Sequence, residues 1–192
     1  MIMNFSPRQV QLLNALIQLA VYCIKADGHV VHEEMEALQA LLSRGFSDPN
    51  QRAEIRKLVL TGMVRSVNID DAFSVLTREF PTKPDHVALV HVALGFVGAD
   101  NNLDALEQAA LSKICTALAI TDDEFSTICR IAFKVNGNVN IARSEIDELG
   151  VENPNFSQVM NRLIKDYHSG DTFIKYGDEL VGAIENRLLT IK

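Results

Sequence analysis

The chain has 192 residues, 47% of them apolar, only 6% aromatic and none tryptophan. That length fits one domain, or one domain with an appendage, and the apolar share excludes a disordered chain. A net charge of −7, with 18 basic residues scattered among 25 acidic ones, counts against a nucleic-acid binder, which needs a basic surface to displace counterions.

With aromatics so few, Leu, Ile, Val and Ala must fill the core, which favours close-packed helices. Ser6-Pro7-Arg8-Gln9 opens the first one: Ser caps, Pro suits the first turn, and Gln9 holds the capping-box position. Leu13, Leu16, Ile17, Ala20 and Ile24 follow at helical spacing, and Leu12, Leu19 and Cys23 widen the stripe, so this helix is largely buried. Gln11, Asn14 and Gln18 make it too polar to span a membrane. It stops at Asp27-Gly28, where Gly takes a left-handed turn cheaply.

The next helix runs from about His32 to Arg44. Asp48-Pro49-Asn50-Gln51 caps another, with Ile55, Leu58, Val59 and Val64 expected inward. Asn68 starts a helix through Phe73, Leu76 and Phe80 that Pro81 closes. Pro84 begins a very apolar helix, Val87 to Val97, read as a second buried one. A helix from Asp104 to about Ala119 follows. Thr121-Asp122-Asp123-Glu124 is a capping box for a helix reaching Gly137. Beyond it the chain turns Asn-, Gly- and acid-rich. A short helix is expected at Ser144 to Leu149, and two longer ones at about Phe156 to His168 and Asp171 to Leu189. No strand of convincing length is predicted. The expected layout is all-α: a compact helical bundle at 1–137 with two pseudo-symmetric helical hairpins, and a C-terminal helical extension at 138–192 packing on the bundle or a partner.

The hairpins carry the functional signal. KADGHVVHEEMEALQALL from Lys25 is echoed by GADNNLDALEQAALSKIC from Gly98. At an offset of 73 residues, Ala20, Ala26, Asp27, Glu34, Ala37 and Leu38 recur identically as Ala93, Ala99, Asp100, Glu107, Ala110 and Leu111. Asp27 with Glu34, and Asp100 with Glu107, place two carboxylates at each bend. Carboxylate oxygens suit Ca²⁺ or Mg²⁺, and His29 and His32 would add ligands for Zn²⁺. The competing use is structural. Glu34 and Glu107 fall near the third helical position, where Glu bonds back to the helix start, and the aspartates can close Asx turns.

Other chemistries find little support. Asp100, Asn102 and Asp104 imitate an EF-hand loop, but Ala105 stands where Gly is needed and Leu111 where the bidentate Glu belongs. There is no Glu-x-x-His pair, phosphate-binding loop or nucleophile elbow. Cys23, Cys115 and Cys129 lack metal or disulfide spacing and sit in apolar helical surroundings, as buried thiols do. The opening MIMNFSPRQ lacks the basic-then-apolar order of a secretion signal, so a cytoplasmic protein is the expectation.

The two quoted stretches resemble the halves of TerB-like tellurite-resistance domains, and the related amino-terminal domain of DjlA-type co-chaperones. The shared pattern is an apolar helix, Ala-Asp-Gly, a short turn, then Glu heading an amphipathic helix. It covers about Ser6 to Gly137. The resemblance implies a helical bundle acting in tellurite or general stress response through metal sensing or protein contacts. It places the family's acidic positions on Asp27, Glu34, Asp100 and Glu107. Asn101 replaces the second turn's Gly, and Val31 replaces a small polar cap. The expected function is therefore a non-catalytic module that binds or senses a divalent cation (Ca, Mg or Zn). The alternative is a metal-free scaffold whose acids are caps, docking a protein partner or a second copy through Phe173, Leu180, Ile184 and Leu188.

Overall fold

The computed structural model describes residues 4–26, 28, 32–97, 102–103, 105–121, 124–125, 140–141, 182 and 184–192. In order these give α1 (Pro7–Ile24), α2 (His32–Ser43), α3 (Pro49–Val64), α4 (Ile69–Glu79), α5 (Lys83–Val97) and α6 (Ala105–Ala117), with 184–190 also helical. The protein is all-α, as its periodicity predicts. Two short strands, β1 (Asn102–Leu103) and β2 (Asn140–Ile141), pair in parallel. Two residues are too few to leave an alternating pattern in a sequence, which is why neither strand is legible there. The 137/138 boundary and the helices expected at Ser144 to Leu149 and Phe156 to His168 lie outside the described residues.

α1 is the central element and packs against α2, α3, α4, α5 and α6. Its start is fixed locally: Gln9 N donates to Ser6 Oγ at 3.1 Å, and Ser6 N donates to Gln9 Oε1 at 2.9 Å. Its stripe is wide enough to meet neighbours all round, so Leu12, Leu13, Ile17, Leu19, Ala20 and Cys23 are almost completely buried. Each fully buried aliphatic side chain of this size contributes about 1.5–3 kcal/mol. α5 is the second buried helix, with Ala88, Leu89, Val90, Ala93 and Leu94 shut from solvent. α3 starts at Asp48, whose Oδ1 accepts from Asn50 N at 2.9 Å. Val64, expected inward, is 84% exposed. It is the last residue of α3, past the point where Gly62 meets Ile17 of α1, and nothing covers that end.

The helix ends follow the offset seen in the sequence. α1 ends at Ile24 and α5 at Val97; α2 begins at His32 and α6 at Ala105; 97 less 24 and 105 less 32 are both 73. Burial follows too: Leu38 and Leu111 are both fully buried, and so are Ala20 and Ala93. The second hairpin is tied at its far end, where Lys83 Nζ donates to the Ala119 carbonyl and His86 Nδ1 meets Leu118 O at 3.0 Å.

Residues 184–192 lie on this chain's own bundle. Ile184, Leu188 and Ile191 join the core. Gln9 Nε2 donates to Leu188 O at 3.1 Å, and Arg44 Nε pairs with Glu185 Oε2 at 3.3 Å. A Cβ on Gly45 would stand 2.9 Å from Glu185 Cγ and Leu189 Cδ1, so a larger residue there would displace those side chains. A single carboxylate, Glu79, clamps the seam. Its Oε1 accepts from Arg8 Nε at 3.1 Å and Arg78 Nε at 3.0 Å, and its Oε2 from Arg8 Nη2 at 2.9 Å and Arg187 Nη2 at 3.1 Å. Burial pushes the Glu79 carboxyl up, but the hydrogen bonds and charges of Arg8 and Arg78 outweigh it and hold it below its ordinary range.

Candidate functional site

At the other end of α1, two helix starts converge. Glu34 is the third residue of α2, and Glu107 the third residue of α6. Both are 6% exposed, which is rare for a carboxylate. Each helix buries its glutamate because the next inward position, Leu38 or Leu111, lies four residues on along the same face.

Both carboxylates bear on the same atom. Cys23, in the last turn of α1, is completely buried, and burial pushes its thiol far above the usual range. The negative charge of Glu107, then Cys115, then Glu34 raises it further. The thiol therefore stays protonated, and thiolate chemistry is not available from it. Cys115 is buried as well and is not in a disulfide. The structure thus gathers Glu34, Glu107, Cys23 and Cys115 around the end of α1. The sequence pairs each glutamate with the aspartate of its own bend, and it shows the cysteines only as buried thiols in apolar helices.

Of the four expected metal-ligating residues, Asp27 and Asp100 lie outside the described residues, as does His29. Gly28, next to Asp27, has φ +81°, the left-handed turn its sequence predicts. His32 does not face the glutamates. Its side chain is 72% exposed and its Nε2 lies 3.1 Å from Glu36 Oε1. Among the described residues, no group of three or more His, Cys, Asp or Glu is arranged to hold a metal ion. Glu34 and Glu107 are the two described members of the expected set, and they fit a hard cation by ligand type.

Beside this site a shallow recess of about 480 Å³ is lined by Tyr22, Lys25, Leu106, Ala109 and Lys113. Lys113 Nζ stands 5.7 Å from the centre of the Tyr22 ring, a cation–π contact joining α1 to α6. Lys25 turns away, donating to Met63 O at 2.5 Å. β1, in the connection leading into α6, pairs with β2, so the second bend is braced by a segment from the tail.

No helix among the described residues is long and apolar enough to cross a membrane. Neither a curated protein nor a solved structure matches this chain. The family model for tellurite resistance protein TerB matches residues 13–130, more than half of the chain and a span that contains both hairpins. The two buried glutamates at matching helix starts, the whole of α5 and most of α1 lie inside that span: the chain belongs to the TerB family.

Proposed function

We propose that this protein is a cytoplasmic, non-catalytic stress-response module that binds or senses a divalent cation near the starts of α2 and α6. Glu34 and Glu107 supply oxygens from α2 and α6, with Asp27 and Asp100 completing the set. The observation that carries this is the shared environment of the two glutamates: each is buried at the third position of its helix, and each presses negative charge on the Cys23 thiol. Buried carboxylate oxygens presented from two helix starts are the donor type that a hard cation takes. Oxygen ligands beside a protonated thiol, with His32 turned to solvent, favour Ca²⁺ or Mg²⁺ over Zn²⁺.

The test is calorimetric titration of the full chain with Ca²⁺, Mg²⁺ and Zn²⁺. Saturable binding of a hard cation that Glu34→Gln with Glu107→Gln removes is the expected result. Binding absent below millimolar concentration in the native protein would end the cation reading.

The metal-free scaffold keeps one favourable observation, the third-position placement of both glutamates, which suits capping. Its proposed docking stripe is weakened. Ile184 and Leu188 are 1% and 2% exposed, already spent on this chain's own core. Phe173 and Leu180 lie outside the described residues. A partner or second copy would have to use other apolar surface, such as Leu60 and Val64 on α3.

A further inference from the structure

A cavity of about 700 Å³ opens between α1 and α3, within the size range of small-molecule sites. Its floor is apolar, made by Ile17, Leu58 and Val67. Gly62 lets the two helices come this close, since a methyl there would run into Ile17 Cγ2. One wall is Asn14 and Gln18, a turn apart on α1; the facing wall is Lys57, Thr61 and Arg65, each four residues after the last. Asn14 and Gln18 are two of the polar interruptions in an otherwise apolar helix, and this cavity is where they face.

The electrostatics single this place out. In a chain of net charge −7, the stretch from Pro49 to Arg65 carries Arg52, Arg56, Lys57 and Arg65 against Glu54 alone. Four of the chain's 18 basic residues fall in this one stretch. Arg52 is engaged, donating to Phe46 O at 2.5 Å. Lys57 and Arg65 form no ion pair with any described residue, and Glu54 is the single acid in the lining. Gln18 Oε1 accepts from Asn68 N at 3.0 Å, which fixes its amide and leaves the NH₂ group as the free donor. Thr61 donates its hydroxyl proton to Lys57 O at 2.8 Å.

We propose that this cavity binds a small organic anion, a carboxylate or phosphate ester carried on an apolar body. Lys57 and Arg65 take the charge; the Arg fork suits the planar or tetrahedral oxygens of such a group. The Gln18 NH₂ orients it, and Ile17, Leu58 and Val67 receive the apolar body. The site is separate from the hairpin bends and does not depend on the cation reading.

The test follows backbone amide resonances of the full chain during titration with benzoate, phenyl phosphate and inorganic phosphate at fixed ionic strength. Benzoate or phenyl phosphate should give saturable shifts confined to residues near Asn14, Gln18 and 57–67, and inorganic phosphate should bind more weakly. Lys57→Ala with Arg65→Ala should weaken binding about 10-fold or more, as loss of charge-assisted hydrogen bonds does. Arg56→Ala, on the same helix but outside the lining, should leave affinity unchanged. Both changes are at exposed positions, and an unaltered spectrum outside the cavity checks the fold. Shifts spread over basic residues generally, equal binding of inorganic phosphate, or an unaffected double variant would each overturn the proposal. So would a response to an acidic peptide but to none of the small anions, which would give the groove to a protein partner.

Discussion

The two ends of α1 both bury glutamate, and they do so in opposite ways. At the start, Glu79 sits among three guanidinium groups, from α1, from its own helix and from the C-terminal segment. At the finish, ~22 Å away at 1.5 Å per residue, Glu34 and Glu107 both lie near the buried Cys23 thiol. A buried carboxylate ringed by cations fastens distant parts of a chain together. Buried carboxylates that perturb a neighbouring titratable group are of the kind that clusters at functional sites. The contrast sets a structural acid beside candidate functional ones although all three are buried.

The largest way to break this contrast is at Glu79. Glu79→Gln should lower stability by about 2–3 kcal/mol, the range for charge-assisted hydrogen bonds lost from a shielded position, measured by urea unfolding. The pH dependence has a definite sign. The folded pKa lies below the ordinary 4.5, so this stabilisation is full above about pH 4.5 and is lost as pH falls through the folded value. Urea melts taken downward from neutral pH should therefore show an acid limb in the native protein that is shallower in Glu79→Gln. An equal limb in both would mean the clamp is not what acid releases.

At the other end the choice of substitution matters. Glu34→Ala with Glu107→Ala should cost about 1 kcal/mol at each site, because any cap bond goes with the carboxylate. Glu34→Gln with Glu107→Gln keeps a side-chain acceptor at the third position, so stability should hold within about 1 kcal/mol while cation binding disappears. If the Gln pair loses as much stability as the Ala pair, the charges themselves hold the fold together, and the two ends are alike after all.

The smallest effect calibrates the others without touching charge. Ala119 ends α6 with φ +51°, a left-handed conformation, and Ile120 N donates to Cys115 O at 2.9 Å across it. Ala119→Gly should raise stability by about 0.5–1 kcal/mol, because glycine adopts this cap without the Cβ clash. A loss instead would show that the Lys83 bond to the Ala119 carbonyl depends on the alanine backbone.

Much of this was legible because it is local. The Ser6–Gln9 capping box, the Asp48 cap and the reciprocal Thr121–Glu124 bonds each involve residues within three positions of one another. The paired hairpins were readable because like residues recur at a fixed spacing. The Glu79 clamp was not, since Arg8 and Arg187 lie 71 and 108 residues away. One signal was available: Ile69, Ala72, Phe73 and Leu76 trace a buried stripe on α4, and Glu79 falls on it where an apolar residue belongs.

Helix starts, helix stops and the all-α class follow from the sequence alone, because capping and apolar spacing act over one or two turns. Which carboxylate meets three guanidinium groups, which two lie near one buried thiol, and that α3 gathers uncompensated basic charge beside the amides of α1 were decided only by tertiary packing. Electrostatic energy depends on distance in space, and a linear chain does not state the distances between its far-apart residues.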